Sequence, residues 1–203
     1  MALLDKIQQT PDFFFIQIGG NDGKRGDPIY PYIIRYGWKG IIVEPTQYWF
    51  QKLSQTYHHH SHIRLENAAI AEIDGEKTLY QVEPRNWYLR FIGGSLSSFS
   101  LNTLLKHKWR PGLKNNIVTN AVPCLSFKTL FAKYHVTKID LLVMDTEGYD
   151  YTLLQHFDFS YIRPIMILYE HKHMSEKEEK TCRLLLEENG YRLEKQGRNT
   201  FAY

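Results

Sequence analysis

Phe13-Phe14-Phe15-Ile16-Gln17-Ile18-Gly19-Gly20-Asn21-Asp22-Gly23 is the stretch whose reading decides the fold. Its apolar run is too short for a helix and stops abruptly at small and turn-forming residues. A strand buried on both faces and ending in a tight loop reads this way. Glycines in the loop permit positive φ and a close approach of backbone to ligand. Asn21 and Asp22 tolerate unusual backbone angles and offer hydrogen bonds. A second apolar run, Gly40-Ile41-Ile42-Val43, ends in Glu44. Roughly 20 residues past a glycine loop is where an acid on the next strand reaches ribose hydroxyls in mononucleotide-binding βαβ units. The glycines alone suit an ordinary buried strand and turn; Glu44 tips the reading to nucleoside binding.

Working outward, Leu3 to Gln9 reads as a short helix closed by Thr10-Pro11. Asp27-Pro28 starts a helix that runs to about Tyr36 and stops at Gly37. Thr46 caps a further helix through Gln55. Two alternating βα units this early predict a parallel, doubly wound sheet. The cluster His58-His59-His60-Ser61-His62 reads as a solvated turn rather than a metal site, because consecutive residues diverge and no acid or thiol follows nearby. Ile63 to Ala71 is expected as a third strand carrying Asn67 and Ala68. Asp74-Gly75 is expected as a hairpin turn, with Thr78 to Val82 as its return strand. Periodicity fails from Glu83 to Asn116, a span with Trp87, Trp109 and several cationic residues, among them Arg85, Arg90, Lys106, Lys108 and Arg110. Structureless loops of this length are usually functional, so a substrate-facing lid is expected there. Ile117 to Cys124, a helix capped by Ser126, and a strand from Lys138 to Met144 follow. That strand ends in Asp145-Thr146-Glu147-Gly148-Tyr149-Asp150, at the edge where open α/β sheets bind ligands. Pro164 to Tyr169 leads into Glu170-His171-Lys172-His173. A helix from Ser175 to about Asn189 and a closing hairpin complete the chain.

Composition sets the outer bounds. At 203 residues, 43% hydrophobic and 23% charged, the chain suits one domain with a substantial core. A net charge of +3 does not support a nucleic-acid or membrane partner. Cys124 and Cys182 match neither a zinc pattern nor a disulfide framework, which favours a reducing compartment. No secretory signal or membrane-length apolar run is evident, so a soluble cytoplasmic protein is expected.

Three motifs together resemble FkbM-type methyltransferases: Phe15 to Gly23, Asp145 to Asp150, and Leu168-Tyr169-Glu170-His171. The resemblance runs from about Asp12 to Phe159 and on to His171. It implies a class I S-adenosylmethionine-dependent fold, a Rossmann-like, mostly parallel seven-stranded sheet whose last strand is antiparallel. The expected C-terminal hairpin agrees with that. Thr146 stands where the family is more often aliphatic, and Asp150 where Glu is common. The resemblance further implies S-adenosylmethionine as cofactor. Backbone N–H groups around Gly19, Gly20, Asn21, Asp22 and Gly23 suit its tail carboxylate, with Gln17 in the same motif. Glu44 suits its ribose hydroxyls, Asn67 and Ala68 its adenine, and Asp145 the neighbourhood of its methyl group.

The expected reaction is O-methylation of a hydroxyl on a sugar, glycan or natural product. In-line displacement needs alignment, and a hydroxyl acceptor gains from a base. Asp145, Glu147 and His171 are the candidate catalytic groups. Two carboxylates and an imidazole are also plausible metal ligands, but metal-free base catalysis is favoured, with His171 foremost because its ordinary pKa of about 6.5 suits neutral pH. Two alternatives stand beside this: a nicotinamide-dependent oxidoreductase, disfavoured by Gly-Gly-Asn-Asp-Gly in place of Gly-x-Gly-x-x-Gly, and a non-catalytic nucleoside-binding module. The expected partner is a small-molecule or glycan acceptor, and the number of subunits is left open.

Overall fold

A computed structural model describes residue 4, residues 12–83, 85, 88, 89, 96–106 and 112–203. Most of the expected N-terminal helix lies outside the described residues, as do Trp87, Arg90, Lys108, Trp109 and Arg110 of the expected lid. Seven strands form the main sheet: β1 (Phe14–Ile18), β2 (Lys39–Val43), β3 (Ile63–Glu66), β8 (Leu141–Met144), β9 (Met166–Glu170), β10 (Leu193–Gln196) and β11 (Asn199–Ala202). Their order is β3-β2-β1-β8-β9-β11-β10. All pairings from β3 to β9 are parallel, and β11 runs antiparallel to both β9 and β10. This is the class I methyltransferase sheet, with the closing hairpin in the expected place.

The apolar run of β1 is continuous because both faces of the sheet are covered. Successive side chains of a strand point to opposite faces. Ile16 and Ile18 pack with Leu142, Met144 and Ile167 beneath helices α4 (Phe127–Tyr134), α5 (Asp150–Gln155) and α6 (Glu176–Glu188). Phe13 and Phe15 pack with Ile42, Leu141 and Val143 beneath α1 (Tyr30–Tyr36) and α2 (Gln47–Tyr57). Trp38 stacks on Phe13 at 3.9 Å between ring centres. Each such buried apolar side chain contributes about 1.5–3 kcal/mol relative to exposure.

Helix α1 begins at Tyr30, later than Asp27-Pro28 suggests, and ends at Gly37 as expected. Asp27 still serves the start, since its Oδ1 accepts from the Ile29 and Tyr30 N–H groups at 2.8 and 3.1 Å. Thr46 precedes α2 but makes no side-chain cap bond, because its hydroxyl donates to Glu44 instead. Ser126 does cap α4, accepting from the Thr129 N–H at 3.2 Å. Ser126→Ala is expected to cost about 1 kcal/mol, read as a lower urea midpoint with unchanged slope; an unchanged midpoint would show the cap to be idle.

The expected third strand is two strands in two sheets. β3 ends at Glu66, the chain turns at Asn67 and Ala68, and β4 (Ala69–Ile70) joins a second sheet with β5 (Gly75–Val82), β6 (Ser97–Ser98) and β7 (Ile117–Leu125), in the order β4-β7-β5-β6. In that sheet β5 pairs antiparallel with β7, which separates it from β4. Asp74-Gly75 therefore turns no hairpin: Asp74 accepts from the Ser126 N–H at 2.7 Å and from the Thr129 hydroxyl at 2.6 Å. Long-range pairing with β7 outweighs the local turn signal. The Glu83–Asn116 span is not structureless either. It holds β6 (Ser97–Ser98), paired with β5, then α3 (Leu101–Leu105) and a 3₁₀ turn, Lys114–Asn116. Leu89, Leu96, Leu104 and Leu113 are buried together with Val82.

Candidate active site

The strand order reverses direction beside β1, and a crevice opens at the carboxyl ends of β1 and β8, where open α/β sheets bind ligands. The loop after β1 is pinned across it. Gly19 and Gly20 N–H groups both bond to the Val43 carbonyl at 2.9 and 3.0 Å, and the Asp145 N–H bonds to Ile18 at 3.0 Å. With the Gly23 N–H on the Gly20 carbonyl and the Asn21 N–H on Glu44, four of the N–H groups expected to receive the cofactor's tail carboxylate are engaged within the protein instead. Gly19 has φ +87°, and a Cβ there would stand 2.0 Å from the Asp145 carbonyl oxygen. A cleft of about 1190 Å³, its open mouth included, is lined by Gln17, Gly19, Gly20, Asn21, Glu44, Ala68, Asp145 and Glu147 among others.

Glu44 follows β2 and is 5% exposed. One carboxylate oxygen accepts from the Asn21 N–H at 2.9 Å; the other accepts from the Thr46 N–H at 2.9 Å and the Thr46 hydroxyl at 2.5 Å. Burial pushes its pKa up against these bonds. Gln17 is likewise buried, its side-chain N–H donating to Asp27 at 3.1 Å while its Oε1 has no hydrogen-bond partner. Burial also raises the Asp27 carboxyl. The sequence offered Asp27 only as a helix start, and no local signal placed it across the cleft wall from Gln17.

Four further predicted residues are placed elsewhere. Asp22 closes its own turn, accepting from the Lys24 and Arg25 N–H groups at 3.0 and 2.8 Å. A Cβ at Gly23 would strike Leu53 and Tyr57, so that glycine serves packing rather than ligand approach. Asn67 lines a separate cleft instead, donating to the carbonyls of Glu44 and Pro45 at 2.8 and 3.3 Å. His171 is the fourth: its Nδ1 lies 2.9 Å from the Thr200 hydroxyl, and it lines no part of the cleft. Burial lowers its pKa.

The histidine drawn to the acidic end is His173. Its Nε2 is 3.1 Å from Glu147 Oε2 and 3.3 Å from Glu170 Oε2. Strand alternation could not reveal this, because the chain leaves β9 in a turn closed by the Met174 N–H bonding to the His171 carbonyl at 3.0 Å. Among the described residues, Glu147, Glu170 and His173 form the one group of three with metal-ligand spacing, and the His58–His62 run forms none. Asp150 is fully buried and accepts from the Thr146 N–H and hydroxyl at 3.2 and 2.6 Å and from the Glu170 N–H at 3.3 Å. The hydroxyl that sets Thr146 apart from an aliphatic residue thus binds this acid. The Asp145 carboxyl is pushed well up, first by the protein packed around it and then by the charges of Glu170, Glu147 and Asp150. Its surface nevertheless opens to the cleft, where water weakens the first cause. Ser97, Ser98 and Phe99 from the insertion form another wall, with Phe99 edge-on to Tyr149 at 4.9 Å.

Fold and cleft together define a class I S-adenosylmethionine-dependent methyltransferase. Residues 17–193 match the model of the methyltransferase FkbM domain, and the chain belongs to that family. No curated protein sequence matches it. Among solved structures it is similar to the FkbM methyltransferase of Methylobacillus flagellatus KT, with a TM-score of 0.56 and 11% identity over 95% of this chain and 43% of that one. It is also similar to Aeropyrum pernix fibrillarin, solved with natively bound S-adenosyl-L-methionine, with a TM-score of 0.50 and 11% identity over 97% of this chain and 68% of that one. The residues present fit that cofactor. Gln17 Oε1 is a buried acceptor suited to an ammonium, and Glu44 Oε2, which accepts one bond, keeps a lone pair for a hydroxyl donor. A nicotinamide-dependent oxidoreductase is set aside by the family. Among the described residues, no helix is long and apolar enough to cross a membrane.

Proposed function

We propose that the protein methylates a hydroxyl of a sugar, glycan or related natural product. The supporting observation is the make-up of the cleft lining, which includes the acids Asp145 and Glu147 and the aromatic residues Phe99 and Tyr149. Carboxylates accept from hydroxyls, and aromatic faces cover the C–H faces of a sugar ring. Bound S-adenosylmethionine supplies the electrophilic methyl group. Gln17 and Glu44 hold the cofactor's polar ends, and the Gly19–Gly20 backbone keeps the loop out of its path. Asp145 orients the acceptor hydroxyl for in-line attack and takes its proton as the new C–O bond forms and the methyl–sulfur bond breaks, which would leave S-adenosylhomocysteine. Ser97 to Phe99 cover the reacting groups and exclude water.

The test is incubation of the purified protein with S-adenosylmethionine and panels of glycans and hydroxylated natural products, followed by mass spectrometry. The expected product gains one methylene mass on an oxygen. Methyl found on nitrogen or carbon would overturn the assignment.

A further inference from the structure

Three side chains at the acidic end, of which only Glu147 enters the methyl-transfer reading, share a further geometry. Glu147 follows β8, Glu170 closes β9, and His173 stands in the turn after it. The Glu170 and His173 side chains are 5% and 4% exposed, and Glu147 is 24% exposed on the cleft side. Their three ligating atoms all lie within 4.8 Å of one another. Two carboxylate oxygens aimed at one small volume repel unless positive charge sits among them. A protonated His173 would supply it; so would a metal ion.

Separations of 3.1 and 3.3 Å suit either arrangement, since ligand atoms around one ion stand about 3 Å apart and so do the partners of a charge bridge. One observation favours the ion. Glu170 Oε2, deeply buried and aimed into the group, makes no hydrogen bond. The nearest guanidinium, that of Arg198, reaches only the other oxygen, at 3.6 Å. Such an acceptor is costly to bury unless something binds it. Glu147 is held toward the group in a left-handed conformation, φ 50°, with its carbonyl accepting from the Ser98 hydroxyl at 2.9 Å.

We propose that Glu147, Glu170 and His173 bind one divalent cation of the Mn²⁺, Fe²⁺ and Zn²⁺ type. An imidazole with two carboxylates suits these ions. Three protein ligands leave coordination positions for water or an acceptor oxygen. That Glu147 also lines the cleft puts the ion on the acceptor's side, a consequence that rests on the methyl-transfer reading; the binding itself does not.

The experiment uses the full chain, stripped with EDTA and dialysed, and Mn²⁺ alone as the probe. Free Mn²⁺ is followed by electron paramagnetic resonance, with circular dichroism and S-adenosylhomocysteine affinity as checks on folding. The wild type is expected to bind one Mn²⁺ per chain. Glu170→Gln and His173→Ala are expected to weaken it at least tenfold, since even residues that only orient ligands are worth about 10–100-fold. If the buried variants fail to fold, Glu147→Gln on the loop decides by the same measure. A wild type that leaves all Mn²⁺ free, or folded variants that bind as the wild type does, would overturn the site and show His173 to be a simple charge bridge. Neither outcome touches the assignment of the acceptor.

Discussion

Gly19→Ala is expected to destabilise the protein by about 3–5 kcal/mol, or to prevent folding. Two costs fall on one atom. The backbone at Gly19 has φ +87°, which L side chains rarely adopt, and the added Cβ would stand 2.0 Å from the Asp145 carbonyl oxygen. That carbonyl cannot withdraw cheaply, because the Asp145 N–H is bonded to Ile18 and β8 is in register with β1. The damage is to the strand-end junction itself, before any ligand arrives. The sequence suggested instead that glycine here serves close approach of backbone to ligand, which a larger residue would block. Denaturant unfolding decides between the two. A folded variant within about 1 kcal/mol of the wild type but blind to S-adenosylhomocysteine would favour the latter account.

Glu44→Gln is expected to weaken S-adenosylhomocysteine binding by about 10–150-fold, the equivalent of about 1.5–3 kcal/mol for a lost charge-assisted acceptor. The substitution keeps the shape of the side chain but turns an N–H donor toward groups that already donate. Glu44 takes three such donors, from the Asn21 N–H, the Thr46 N–H and the Thr46 hydroxyl. The amide therefore faces another donor whichever way it is rotated, and the loop after β1 loosens together with the ribose site. Glu44→Ala leaves all three donors without their acceptor and is expected to be worse for stability as well as for binding. Titration calorimetry on folded Glu44→Gln measures the effect. Wild-type affinity there would remove Glu44 from the cofactor site.

The sequence by itself determined the main sheet and its inner end. Runs such as Phe13–Ile18 and Leu141–Met144 have only one comfortable environment, between two layers of helix, because they are apolar on both faces. Gly19, Glu44 and Asp145 were legible for the same reason: each stands where a buried strand must stop, and strand ends mark the ligand edge. Tertiary structure decided whatever depended on a partner distant in sequence. The Asp74-Gly75 turn signal gave way to pairing of β5 with β7, since eight residues of ladder outweigh one favoured dipeptide. The Glu83–Asn116 span lacked periodicity because its short strand and helix borrow their burial from Val82 and from each other. The choice between His171 and His173 was beyond any periodicity rule. Past Glu170 the chain is turning, and a side chain's direction there is set by the turn and by what lies opposite: Thr200 for one histidine, Glu147 for the other.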